Sequence, residues 1–402
     1  MAGMLREPTG GRRSSVAETA AMHRHGTGGI CNQAIGPLTR VRYCFRMTVR
    51  VSSAPAGLLR RVLRLLAIIG AVTYPVALVA IILAFRFVGE RWWITLAAMY
   101  LPRIGFALPL PFVFVALYVW GPRRLLALQA LSVLILVFPL MGFNPGLGRL
   151  FVRPSGRAIR VMTFNVAFGS PGVSGVLAQV REFGADLVLL QDEDASIEAG
   201  LRKAFDGWNV RSDGEFVLAS RHPIRHVFVP PPLVYPQGAG GAHVVGYTLD
   251  TPLGLVDVFN VHPTSPRPGL EEVRGNGLRE EIVSGRLLAG KASGAVEWNA
   301  FRRARQVAGI AERANASPNA VIVAGDTNLP GLSWILGEHL GSYRDAFSQA
   351  GWGFGYTFPA KRPWMRIDRI LTNDRLKALD FRVGDATPSD HRGVFAVLAS
   401  NR

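Results

Sequence analysis

The chain has 402 residues, of which 49% are hydrophobic and only 18% charged, with a net charge of +17 and a mean hydropathy of +0.23. Such an apolar chain is not disordered, and its length accommodates two or three domains. Its two cysteines, Cys31 and Cys44, exclude a disulfide-built scaffold and a Cys-rich zinc site. The charge is uneven: residues 1–64 carry 11 Lys+Arg and 2 Asp+Glu, residues 65–150 carry 6 and 1, and residues 151–402 carry 28 and 25. The basic excess therefore lies before residue 150, where it reads as a membrane signal more than a nucleic-acid footprint.

Residues 1–57 are Gly-, Arg- and Ser-rich without apolar periodicity, and are expected to form a disordered basic tail. Met47 is a candidate for the true start. Residues 58–150 read as a membrane region. Three charge-free runs of 21, 19 and 24 residues follow Arg64, Arg103 and Arg124. About 20 apolar residues cross a bilayer as a helix, so spans are expected at about 65–85, 104–122 and 125–148. Between the first two, Glu90-Arg91-Trp92-Trp93 and the apolar patch up to Pro102 suggest an interfacial helix. Arg50, Arg60, Arg61 and Arg64 before the first span, with Arg123 and Arg124 in the second loop, orient the N-terminus to the cytoplasm. Three spans then place residues 151–402 on the extracytoplasmic face of the inner membrane.

Residues 151–402 read as one α/β domain. Strand-length apolar runs recur at 159–166, 187–190, 216–219, 244–249, 255–261, 320–324, 366–371 and 393–398. Helical periodicity appears over 173–183 and over 296–314, the latter broken at Gly309. Residues 230–236, 263–274 and 351–363 look like surface loops. Polar residues interrupt or follow the apolar runs. They are Asn165, Asp192, His262, Asp326 with Asn328, Asp368, and Asp390 with His391. Singly, most have plain explanations. Asn165 suits a turn, Asp192 an N-cap ahead of a helix over 195–205, and Gly325-Asp326-Thr327-Asn328 a simple turn. Asp368 is harder to dismiss, because a carboxylate inside a buried strand needs a partner and His391 is available. Together, carboxylates, amides and imidazoles without a Ser or Cys nucleophile suit Mg²⁺ or Mn²⁺ and attack of an activated water on phosphorus.

Met162-Thr163-Phe164-Asn165-Val166, Leu190-Gln191-Asp192, Asn260-Val261-His262, Gly325-Asp326-Thr327-Asn328, Arg366-Ile367-Asp368 and Ser389-Asp390-His391 resemble, in order, the motifs of the endonuclease/exonuclease/phosphatase superfamily. Ser220-Arg221-His222-Pro223-Ile224 resembles a further strand-end motif of that group. The resemblance implies a four-layer α/β/β/α sandwich of two mixed sheets, here preceded by an all-α transmembrane region. It implies a metal held by Asn165, Asp192 and Asp390, with His262, Asp326, Asn328, Asp368 and His391 catalytic. One departure stands out: the superfamily's usual Gln-Glu is Gln191-Asp192 here, and either the shorter Asp192 shifts the metal or Glu193 substitutes. The chain is also similar to membrane-anchored bacterial members with three N-terminal spans, some acting on polyprenyl pyrophosphates. The expected function is a metal-dependent phosphoric ester hydrolase on a lipid phosphate or pyrophosphate, with the bilayer as partner and no protein partner called for. The alternatives are a tethered nuclease on extracytoplasmic nucleic acid and a catalytically impaired module that binds phosphate headgroups.

Overall fold

The computed structural model describes residues 54–401 apart from 152–155, 194–197, 237, 242, 274–278, 280–282, 286–290 and 387. Cys31, Cys44 and Met47 lie outside the described residues. Helix α1 (Ala54–Leu83) begins inside the expected tail and passes through Pro75. A π-helical segment (Ala84–Val88) and a short turn (Gly89–Arg91) continue it. Three helices are long and apolar enough to cross a membrane: Gly57–Arg91, Arg103–Trp120 and Arg123–Leu140. The third is shorter than the sequence run suggests. The chain leaves the helix after Leu140, with Gly142 at φ +79°, and Asn144 pairs with Gly353 of the α/β domain. Helix α2 (Trp93–Met99) buries Trp93 and Leu96 against Val296 and Ala300. Helices α3 (Pro109–Trp120) and α4 (Leu126–Ile135) complete the membrane-type region.

Two six-stranded mixed sheets form the α/β domain. The first contains β1 (Ala158–Asn165), β2 (Leu187–Gln191), β3 (Asn209–Asp213) and β4 (Phe216–Ser220). The second contains β5 (Ile224–Phe228), then, after a small ribbon of β6 (Val234–Tyr235) and β7 (Gly238–Ala239), β8 (Val244–Thr251), β9 (Gly254–Val261), β10 (Ala320–Asp326), β11 (Arg344–Asp345) and β12 (Asp368–Thr372). Strands β13 (Leu376–Val383) and β14 (Val394–Ser400) return to the first sheet. The orders are β13-β14-β1-β2-β4-β3 and β11-β12-β10-β9-β8-β5. Pairs β1/β2 and β9/β10 are parallel, whereas β1/β14 and β10/β12 are antiparallel.

Each central strand is apolar on both faces, which is why the sequence shows continuous runs instead of alternation. Ile159, Val161, Leu187 and Leu189 face Val256, Val258, Ile322, Ala324 and Ile370 in the layer between the sheets. Met162, Phe164, Val188 and Leu190 pack outward with Val176, Val180 and Phe183 of α5 (Gly172–Phe183) and Leu201 of α6 (Glu198–Ala204). Val261, Val321 and Val323 pack outward on the other side. Their partners include Val307 and Ile310 of α8 (Lys291–Asn315) and Ile335 of α9 (Trp334–His339). The order is thus helix, sheet, sheet, helix, as the family resemblance implies. Helix α7 (Arg267–Val273) occupies part of the expected 263–274 loop, and α8 runs unbroken through Gly309. Helix α10 (Ala346–Ala350) closes one end of the inter-sheet core through Phe347.

Candidate active site

Strand periodicity builds most of the site. Side chains two apart share a face. The parity that sends Ile159 and Val161 into the inter-sheet layer continues through Thr163 to Asn165 at the end of β1. In the same way, Ile322 and Ala324 lead to Asp326, Val256 and Val258 lead through Asn260 to His262, and Ile370 follows Asp368. The inter-sheet core therefore becomes polar at one end. Below that end, the buried Gln191 donates from Nε2 to Thr163 Oγ1 (2.9 Å) and to Asn260 Oδ1 (2.7 Å), and Asn260 Nδ2 donates to Leu190 O (3.0 Å). These bonds engage both amide nitrogens and tie the two sheets together beneath the polar end of the core, while Gln191 Oε1 stays buried without a partner among the described residues. Gly325 (φ +150°) allows the close approach of β10 to β9. A Cβ there would stand 2.0 Å from Val261 O.

Asp326 is the meeting point. Its Oδ2 lies 3.7 Å from His262 Nε2 and 3.7 Å from His391 Nε2. It accepts from Asn165 Nδ2 at 3.3 Å, and its Oδ1 accepts from the Asn328 amide at 2.8 Å. Asn165 Oδ1 accepts from the Ala167 amide, so both ends of that side chain are engaged. Asn328, at φ +50°, lends one N–H of its amide to Pro263 O (2.9 Å). His391 Nδ1 lies 2.9 Å from Asp368 Oδ2, and Phe358 packs against the ring. Ser389 Oγ fixes the loop, donating to Asn165 O and accepting from His391 N.

Asp192 would point to the outer face by strict alternation. Its left-handed backbone (φ +57°) breaks the strand, and the carboxylate lines the same cavity as Asn165, His262, Asp326 and His391. Among the two adjacent acids it is Asp192, not Glu193, that lines this cavity. Asp390 stands at the exposed rim, 3.8 Å from His391 Nε2 and 3.3 Å from Arg267. Glu215, not recognised in the sequence, lies 3.3 Å from His262 Nδ1. It follows Asp213-Gly214 in a hairpin, a polar stretch that looks like any solvated turn.

The charges are strongly coupled. Burial works against protonation of His391, but Asp368 and Asp326 outweigh it and hold the imidazolium up to about 10. For His262 burial is likewise outweighed, by the bond from Glu215 and by Asp326, which push it up to about 8. Burial raises the Asp326 carboxyl, with Asp368 adding to the shift and the imidazoles opposing it. Burial also raises Asp192, and Glu215, Asp390 and Asp326 add to it against His262. Negative charge thus accumulates around Asp192, as at a site that a cation would neutralise. Oxygens of Asp192 and Glu215 and a nitrogen of His262 all lie within 4.8 Å of one another, and so do atoms of Asp326, Asp368 and His391. In the second group Asp368 is engaged by His391. The first, through its two hard carboxylates, fits a divalent cation better.

The chain belongs to the endonuclease/exonuclease/phosphatase family, whose sequence pattern matches residues 162–391. Members of this family are metal-dependent hydrolases of phosphoester bonds. No curated protein matches the chain. Among solved structures it is similar to an endonuclease/exonuclease/phosphatase from Beutenbergia cavernae (19% identity, 61% of this chain and 72% of that one, TM-score 0.44). A 3′ phosphatase from Neisseria bound to a product DNA hairpin is also similar (18%, 60% and 98%, TM-score 0.42). So is a mannosyl-6-phosphatase from Bacteroides thetaiotaomicron (13%, 60% and 99%, TM-score 0.41).

Proposed function

We propose that the protein is a divalent-metal-dependent phosphoester hydrolase tethered to the inner membrane, acting at its extracytoplasmic face on a lipid phosphate or pyrophosphate. The observation that carries the hydrolytic reading is the convergence of two carboxylate-held imidazoles on Asp326 within one cavity. Asp326, with its raised carboxyl, accepts the proton of the attacking water. His391, held as an imidazolium by Asp368, faces the phosphoryl oxygens, and His262 does so from the opposite sheet. Asn165 orients Asp326, and Asn328 fixes the loop beside it. Asp192 is the primary candidate to hold Mg²⁺ or Mn²⁺, with Glu215 beside it and Asp390 and Asn165 at the same cavity. When bound there, the cation would supply Lewis acidity toward the phosphoryl oxygens.

Tethering supports the choice of a lipid substrate, because it holds the site at high effective concentration beside bilayer components. The Arg asymmetry supports the orientation. The full chain in lipid nanodiscs is expected to hydrolyse phosphate esters with Mg²⁺ or Mn²⁺ and to lose that activity on chelation. Asp326→Asn is expected to lower kcat by roughly 10³-fold. No metal-dependent turnover of any monoester, diester or pyrophosphate would overturn the reading. A C-terminal alkaline phosphatase fusion checks orientation; an inactive fusion with an active cytoplasmic reporter would reverse it.

A further inference from the structure

We infer that the connector between the first two membrane-type helices is a wall of the active site, where it forms an apolar subsite for the hydrocarbon chain of an amphiphilic phosphoester. The inference rests on the hydrolytic reading above and adds to it the part of the molecule that selects substrate. Residues 89–103, the connector with its two ends, are bound into the α/β domain by several independent contacts. Glu90, buried, accepts from the amides of Trp334 (3.0 Å) and Ile335 (3.3 Å) and from Ser333 Oγ, at the start of α9. Gly89 (φ +51°) permits this approach, since a Cβ there would lie 2.7 Å from Trp334 Cβ. Trp93 and Leu96 pack on α8. Arg103 donates to Leu140 O (2.6 Å) and to Gly331 O, joining the second and third helices to the domain. Tyr100 OH donates to Asn328 O (2.8 Å), so the connector touches the catalytic loop itself.

The cavity that holds Asp192, Asp326 and His391 has a volume of about 930 Å³ and takes Ala97, Tyr100 and Leu101 as part of its lining. That lies near the top of the ~300–1,000 Å³ range of small-molecule sites. Asn165, Asp192, His262, Asp326 and His391 supply polar lining. Leu101 (60% exposed), Phe168 (71% exposed), Leu270 and Trp364 supply apolar lining. Exposed apolar side chains beside a charged centre favour a ligand with a phosphate at one end and a hydrocarbon at the other. The connector joins Arg91 to Arg103, the ends of two membrane-type helices. With both helices in a bilayer, this wall lies on the side of the membrane where they end. Among the described lining residues Arg267 is the one Arg or Lys, which falls short of the basic groove expected for single-stranded nucleic acid.

The test compares butyl and hexadecyl phosphate, each as monoester and as methyl diester, with the full chain in the same mixed micelles. Each buried methylene favours binding by roughly fourfold, so kcat/KM is expected to favour the long chain by more than about 100-fold. Leu101→Asp is expected to shrink that preference by about tenfold or more, mainly through KM. Turnover without chain-length preference, or a preference unchanged in Leu101→Asp, overturns the subsite while the hydrolytic reading stands. Faster turnover of a single-stranded oligonucleotide overturns it in favour of a nuclease. No turnover of any ester overturns the hydrolytic reading and the subsite with it.

Discussion

The two sheets supply matching halves of one site, and each imidazole is held by a carboxylate from the opposite sheet. His391, in the loop between β13 and β14 of the first sheet, is held by Asp368 of β12 in the second. His262, at the end of β9 in the second sheet, is held by Glu215 between β3 and β4 of the first. The pairs differ in setting. Asp368 is fully buried and lies 2.9 Å from its histidine, whereas the Glu215 side chain is 33% exposed and 3.3 Å from its own. Burial strengthens an electrostatic contact and makes its loss costlier. The inner pair therefore has less freedom to vary than the outer one, and we expect substitutions in the two pairs to affect activity unequally. Both pairs also bridge the sheets at the site, so the catalytic geometry depends on how the two halves pack.

The largest break in this comparison is expected from Asp368→Asn. It removes the partner that keeps His391 protonated and leaves a buried imidazole facing an amide. A fall in kcat of about 10²–10³-fold is expected. The pH profile separates lost charge from lost fold. His391 is charged below about 10 in the parent chain, so activity that needs the imidazolium persists until pH rises through that value. In Asp368→Asn the alkaline limb is expected to move down toward the ordinary histidine range near ~6.5. An unmoved limb would mean that His391 charge is not used. Glu215→Gln is the matched change in the outer pair. About a tenfold fall is expected, with the limb assigned to His262 moving down from about 8. Equal losses in the two variants would remove the distinction between inner and outer pairs.

Legibility in the sequence followed the same division. Strands buried on both faces appear as unbroken apolar runs, so a polar residue that interrupts or ends one is conspicuous. That is why Asn165, His262, Asp326 and Asp368 stood out as polar positions, although their proposed roles came only from the family resemblance. The edge strands β3, β5 and β11 are polar or short and gave no such signal, and β13 is interrupted by a bulge between Ala378 and Asp380. Glu215 sits in a hairpin whose composition suits solvent, and only the fold brings it beside a histidine 47 positions later. The connector carried a partial signal. Its Trp pair and apolar patch suit a membrane interface, but Trp93 and Leu96 find Val296 and Ala300 some 200 residues downstream. Periodicity reports that a face is apolar, and it does not report what covers the face.

Asp192 is where the two lines of reading meet, and it gives the smallest predicted effect. The family resemblance favours a glutamate here, yet the backbone at this position is left-handed at φ +57°. Asp tolerates that region better than longer side chains, because its short carboxylate can bond locally. The turn also redirects the side chain from the outer face of β2 into the cavity, so the shorter acid already reaches the site. Asp192→Glu is therefore expected to cost about 1 kcal/mol of stability from backbone strain. Activity at saturating metal should change by no more than about threefold, since a carboxylate stays in the same cavity. The metal concentration for half-activation is the sharper measurement, because the extra methylene carries the oxygens toward His262 and Glu215. Thermal unfolding and a Mn²⁺ titration of both chains check the two effects separately. A gain of tenfold or more in turnover would show that the aspartate is a handicap and not an adaptation to the turn.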